Sequence, residues 1–396
     1  MSQVGLWLDR LGRWFRDLCA ILVVALLMAY GVELLARRGL VLPDHDEYMR
    51  GHAVFSHQPW GPQYIEDVRG YRWLRLYKDY VGFRQAPYNS ATINIDKDGL
   101  RITPDNCDRP DAKLVYAFGG STMLGVGAPD ASTIPSNLAR LLNKSGSCVK
   151  LVNFGGGWWQ SSQELAQFIV RLREGERPVA AFFYDGVNDI DAVSFGGKVG
   201  GTDPGAEPRF NSSAELSADR ISLRRFLYAN STALNSIDRI MNPPLVKDAG
   251  NPFRLTQPQI EAAAPQVVAA YEANVRMIQA VAKQFDVPVF FFLQPFPLIS
   301  SKSLTPGEAQ MRRGRLENRD WEPRLVSQTY QIWRNSPYLK QLPNFFDVSL
   351  ALDQTKEEVF ADAEHLLPRG NEIMANIIVE KLRSIPSLSN PGLRQQ

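Results

Sequence analysis

Two residues in this chain have the types and surroundings to do chemistry together. Ser121 closes the run Leu114-Val115-Tyr116-Ala117-Phe118-Gly119-Gly120-Ser121. An apolar strand that stops at two glycines can turn tightly and leave a hydroxyl on top of a sheet. Its amide then lies at the start of the next helix, where N–H groups point outward. A serine alcohol is a poor nucleophile until a base takes its proton. The chain has four histidines, and His365, in Asp362-Ala363-Glu364-His365, is the only one beyond residue 57. Asp362 can reach the imidazole within one loop, fix its tautomer and stabilise the imidazolium that forms. Glu364 is a second possible partner, but adjacent side chains more often face apart, which favours Asp362. Each piece also has a plain structural reading: Ser121 as a helix cap, His365 as an exposed loop residue.

A third piece is Asp185-Gly186-Val187-Asn188-Asp189, after the apolar run Val179–Tyr184. An Asn amide at a strand end can donate to a developing oxyanion. The alternative is a turn, which Asp-Gly and Asn-Asp both favour. Asp185 and Asp189 could ligate a metal, but no histidine lies near them in sequence, and no metal is expected. No Gly-x-Ser-x-Gly elbow occurs, which disfavours the α/β-hydrolase fold.

These residues need a platform. Strand-length apolar runs at Leu114–Phe118, Val149–Phe154, Val179–Tyr184, Val287–Leu293 and, more weakly, Phe345–Val348 alternate with helix-compatible stretches. The latter include Ile134–Asn143, Ser162–Arg173, Pro258–Phe285 and Glu322–Asn335, with a last helix at about Asn371 to Ser384. Such alternation predicts a parallel sheet covered on both faces, with reactive loops at the carboxyl ends of its strands.

Taken together, the blocks resemble the SGNH hydrolases, also called the GDSL esterase family. Gly119-Gly120-Ser121 matches the first block, Gly-Asp-Ser, with Gly in place of Asp. Gly186-Val187-Asn188-Asp189 matches Gly-x-Asn-Asp in full, and Asp362 to His365 matches Asp-x-x-His. The blocks come in the family order. The second block departs: the family places an oxyanion glycine five residues after an Asn, and from Asn153 that count lands on Trp158, with Gly155, Gly156 and Gly157 before it. Only a backbone N–H is needed there, so either Gly157 or Trp158 could donate. The stretch Asn153 to Glu164 looks like a membrane-anchored bacterial subgroup. The resemblance implies a flavodoxin-like three-layer α/β/α sandwich and acyl-ester chemistry through an acyl-enzyme. Ser121 would attack, His365 would act as base and then acid, and Asp362 would orient it. The amides of Ser121 and Gly157 or Trp158, with Asn188, would hold the oxyanion. No cofactor is implied.

Composition sets the frame. The chain has 396 residues, 44% apolar and 22% charged, with a net charge of +2. That charge is too mild to argue for nucleic acid. Residues 18–36 are apolar apart from Glu33, long enough to cross a bilayer. Arg37-Arg38 comes next, where a cleaved signal would show small residues, so an uncleaved anchor is expected over a signal peptide or a core helix. Arg10, Arg13 and Arg16 precede it, which weakly favours a cytoplasmic N-terminus and an exported catalytic domain. Residues 1–17 read as an amphipathic lead-in with Trp7, Trp14 and Phe15. Localisation in the inner membrane, facing the periplasm, accords with this reading.

Residues 37–112 read as a linker and a strap of short strands, 113–384 as the main domain, and 385–396 as a loose tail. An insertion at about 192–257 reads as a mobile cap. Its Gly196 to Gly201 run holds Lys198 followed by Val199, not Ser or Thr, so it is no phosphate loop. Cys107 and Cys148 could close a loop worth about 3–4 kcal/mol in an exported domain, or stay as thiols. His45, His52 and His57 fit no metal-ligand spacing well and read as solvated. Trp158, Trp159 and Trp321 could stack on sugar rings or pack inside. Three functions remain open: an acyl-ester hydrolase, for instance one deacetylating an envelope or extracellular polysaccharide; an O-acyltransferase using the same residues on a glycan hydroxyl; and a non-catalytic anchored scaffold.

Overall fold

The computed structural model describes residues 3–37, 53–71, 74–196, 199–200, 254–385 and 388. Of these, the N-terminal helix and the remainder belong to separate compact units. The helix, α1 (Gln3–Arg37), runs unbroken through the expected lead-in and span. Its stretch Gly12–Leu35 is long and apolar enough to cross a membrane, by length and composition.

The second unit begins with α2 (Ala53–Ser56) and α3 (Gly61–Tyr71). Two small antiparallel hairpins come next: β1 (Arg75–Lys78) with β2 (Gly82–Gln85), and β3 (Tyr88–Asn89) with β4 (Asn94–Ile95). Residues 37–112, read as a linker and a strap of short strands, thus also hold the helix α3. Its period is masked because Asp67, buried on the inner face, interrupts the apolar stripe of Tyr64, Val68 and Tyr71.

The central platform is a five-stranded sheet of β5 (Lys113–Gly119), β6 (Val149–Asn153), β7 (Ala180–Asp185), β8 (Val289–Leu293) and β9 (Phe345–Asp347). All neighbours pair in parallel, in the order β6-β5-β7-β8-β9. Counting only these strands, that is 2-1-3-4-5, the flavodoxin-like arrangement. The strand order reverses at β5, so the crevice above β5 and β7 is where a ligand should sit.

Around the sheet lie α4 (Ser121–Leu124), α5 (Ile134–Lys144), α6 (Ser161–Arg173), α7 (Val187–Gly196), α8 (Gln257–Gln284), α9 (Pro306–Asn318), α10 (Glu322–Asn335), α11 (Pro337–Gln341) and α12 (Pro368–Leu382). Successive strand residues face opposite sides. Tyr116, Phe118, Phe183 and Phe291 point into a core with Phe168 of α6, Tyr271 of α8 and Trp333 of α10. Val115, Ala117, Phe182 and Phe292 point into another with Leu138 of α5 and Ile378 of α12. This is the three-layer α/β/α sandwich, and strands buried on both faces explain the unbroken apolar runs. Phe183 stacks between Phe118 at 4.7 Å and Phe291 at 5.4 Å. Burying such a ring contributes roughly 2–3 kcal/mol.

The last helix starts at Pro368, before the expected Asn371, because proline is preorganised for the first helical position. Cys107 and Cys148 form a disulfide beside the amino ends of β5 and β6. Most of the proposed cap at 192–257 and of the tail lies outside the described residues, as do His45, His52 and Lys198. His57 is described, 3.6 Å from Glu358.

Candidate active site

The turn that carries Ser121 is built at the carboxyl end of β5. Gly120 caps the short helix α4, and Ser121 is its first residue. An N–H at that position has no intrahelical partner. A side chain at 120 would displace the Asn188 amide: its Cβ would lie 2.0 Å from Asn188 Nδ2. This gives a steric reason for glycine where the family has Asp.

His365 arrives from the loop before α12. Its Nε2 lies 2.7 Å from Ser121 Oγ. Its Nδ1 lies 2.6 Å from Asp362 Oδ2. The other carboxylate oxygen of Asp362 accepts from the backbone N–H groups of Glu364, at 2.7 Å, and His365, at 2.8 Å. Asp362 thus holds both the ring and the turn that carries it. Glu364 faces elsewhere, toward Arg315 at 2.7 Å. The imidazole is buried, which alone would favour its neutral form. The Asp362 carboxylate outweighs burial, and the pKa is raised above its ordinary 6.5.

Asn188 opens α7 just beyond β7. Its amide donates to the Trp159 carbonyl at 2.7 Å, using one of two N–H bonds. The loop after β6 packs close to α4. A Cβ on Gly155 would meet the backbone N of Leu124 at 2.2 Å. Trp158 adopts φ +66°, the left-handed region that favours glycine. The position where the family has glycine thus keeps a glycine-like backbone despite its side chain. Of the three tryptophans singled out, Trp159 and Trp321 are core residues, while Trp158 is 39% exposed.

Acid groups lie beneath this surface. Asp189 accepts from the Ser161 hydroxyl at 2.5 Å, and Ser161 Oγ accepts from Asn274 at 2.8 Å. Asp189 is thus engaged in protein hydrogen bonds, and Asp185 is likewise buried. Burial pushes Asp189 up to about 6, and burial plus the Asp189 charge pushes Asp185 up to about 8. Burial also raises Glu164 well above the carboxylate range, with Asp185 adding to it. These groups keep protons that an unfolded chain, titrating near 4, releases. The folded state therefore loses relative stability as pH rises from about 4 toward 8. Urea unfolding should show a decline on the order of a few kcal/mol over that range, flattened in Asp185→Asn. A stability that climbs over the same window would contradict the arrangement.

A further acidic group has no sequence signal, because its members lie far apart along the chain. Carboxylate oxygens of Asp191, Glu322 and Glu364 all lie within 4.8 Å of one another. Arg315 sits among them, 2.6 Å from Glu322, 2.7 Å from Glu364 and 3.9 Å from Asp191. A guanidinium thus supplies the cation there. Two other buried arginines are equally invisible in the sequence. Arg101 pairs with Asp130 at 2.7 Å and donates to the carbonyls of Leu124, Gly125 and Ala128, behind α4. Arg84 donates to the Phe154 and Gly155 carbonyls of the loop after β6. An isolated Arg in a short aromatic strand gives no sequence signal of burial.

No protein-family model matches this chain, and no curated protein matches it significantly. Solved structures similar to it include the lipase Lip_vut3 from a goat rumen metagenome, with 13% identity, 70% of this chain and 98% of that one covered, and a TM-score of 0.38. The acetyl xylan esterase AlAXEase gives 13% identity, 68% and 99% coverage, and 0.36. The lipase/acylhydrolase from Enterococcus faecalis gives 13%, 69% and 96%, and 0.35. At these identities and TM-scores the likenesses carry no weight for function, and the catalytic reading rests on the chain's own geometry.

Proposed function

We propose that this chain is a serine-dependent acyl-ester hydrolase working through an acyl-enzyme. The observation that carries the reading is the unbroken hydrogen-bonded line from Ser121 Oγ through His365 to Asp362. In it, Ser121 attacks the ester carbonyl carbon while its proton passes to His365 Nε2. The carbonyl oxygen becomes an oxyanion, held by the Ser121 amide, by the second N–H of Asn188 and by the Trp158 amide with Gly157 beside it. His365 then gives its proton to the departing alcohol, leaving an acyl-serine. Water repeats the sequence in reverse, with His365 again as base. Asp362 keeps Nδ1 protonated, so that Nε2 can accept.

The substrate class we propose is acetyl or similar acyl esters on a polysaccharide outside the cytoplasm. The exposed Trp158 ring, on a loop that packs against α4, suits a sugar face. The disulfide suits an oxidising compartment. Helix α1 would anchor the chain in the inner membrane with its catalytic domain in the periplasm, and the catalytic domain would span about 113–384.

A fluorophosphonate ester tests the reading directly. It should label the folded protein once, with the added mass on the peptide containing Ser121. Folded protein that stays unlabelled at high probe concentration would overturn it.

A further inference from the structure

We propose that Arg84 is a positioning residue for this reaction. Its guanidinium, delivered by the N-terminal β1–β2 hairpin, holds the loop of residues 154–159 in the shape that completes the oxyanion site. The proposal rests on the serine-esterase reading and adds to it a part of the chain outside the three motif blocks.

Two peptide groups of the loop are clamped from both sides. Arg84 Nη1 donates to the carbonyls of Phe154, at 3.1 Å, and Gly155, at 3.3 Å. The N–H on the far side of each of those peptides points the opposite way. For the Phe154 carbonyl it is the Gly155 N–H, which donates to Asn153 Oδ1 at 2.9 Å. For the Gly155 carbonyl it is the Gly156 N–H, which donates to the Gly119 carbonyl at 3.0 Å. Gly119 lies two residues before Ser121, so Arg84 and the nucleophile strand grip the same peptide.

Arg84 also reaches the other oxyanion arm. Its guanidinium lies 3.8 Å from the centre of the Trp159 ring. That ring donates its N–H to the Phe83 carbonyl at 3.2 Å, and the Trp159 carbonyl receives Asn188 at 2.7 Å. Arg84 Nη2 is anchored on Gln167 Oε1 at 2.9 Å. The side chain is buried, and among the described residues no carboxylate pairs with it. Burying a cation with no carboxylate beside it is costly. Holding backbone carbonyls at a reacting centre is the role that offsets this cost.

The test is the rate of Ser121 labelling by a fluorophosphonate in Arg84→Met and Arg84→Lys, with melting temperature and pH profile alongside. Arg84→Met should melt below wild type, because three buried oxygens lose their donor, and the protein that remains folded should label about 30- to 100-fold more slowly, the effect of a misplaced donor. The midpoint of the pH profile, set by His365, should not move. Lys cannot fork across two carbonyls and should recover only a small part. Free guanidinium ion should speed up Arg84→Ala. If Arg84→Met does not fold, Trp159→Phe, which lacks the N–H to Phe83, should still label several-fold more slowly. Arg84→Met labelling as fast as wild type, or an unaltered Trp159→Phe, would remove the proposal alone. A wild-type protein that never labels would remove the esterase reading and this proposal with it.

Discussion

Asp362→Asn should slow acylation of Ser121 by about four orders of magnitude while leaving the fold intact. The fold survives because an amide oxygen can still accept from the backbone of Glu364 and His365. The chemistry fails because the amide NH2 would donate to Nδ1, forcing the ring's proton onto Nε2. Nε2 then faces Ser121 Oγ as a donor and cannot take its proton. The pH profile should change too. In the wild type only neutral His365 is a base, so the rate rises with pH through a midpoint above the ordinary imidazole value of 6.5. Removing the Asp362 charge leaves burial as the dominant influence, and burial favours the neutral ring. The midpoint should therefore fall in the variant even as the maximum rate collapses. Labelling rates between about pH 4 and 9 measure both. A loss of less than tenfold, or a midpoint that does not move, would show that Asp362 is not the orienting carboxylate.

Gly120→Asp should also be severely impaired, although it restores the family's Gly-Asp-Ser. The Asn188 amide occupies the space where a Cβ would project, 2.0 Å away. Any side chain at 120 must push Asn188 off its bond to the Trp159 carbonyl. Losing a positioned oxyanion donor costs about 10²- to 10³-fold in rate. Gly120→Ala should suffer comparably, because the clash begins at the first carbon. The same labelling assay decides it, and a Gly120→Asp protein as fast as wild type would mean that Asn188 does not serve the oxyanion.

Much of this was legible in the sequence for physical reasons. Strands buried on both faces must be apolar throughout, so Leu114–Phe118 and Val179–Tyr184 announced themselves. Tight turns and a short Asp-to-His spacing are local, so Ser121, Asn188, Asp362 and His365 could be named. What depends on long-range packing was hidden. Nothing around Arg84 says that it fills the space beneath a loop some seventy residues on. Trp158 looked like a lost motif residue because sequence shows the side chain and not the backbone angle. Helix α3 was missed since Asp67, turned inward to bond the N–H and hydroxyl of Thr92, breaks its apolar stripe.

The bridge between Cys107 and Cys148 lies where β5 and β6 begin, and Ser121 stands just past where β5 finishes. Seven extended residues separate them, a span of roughly 20 Å. Covalent fastening and bond-making chemistry thus occupy opposite poles of one strand. Thiol redox conditions should govern how long each molecule endures, while leaving untouched how quickly it works during that lifetime.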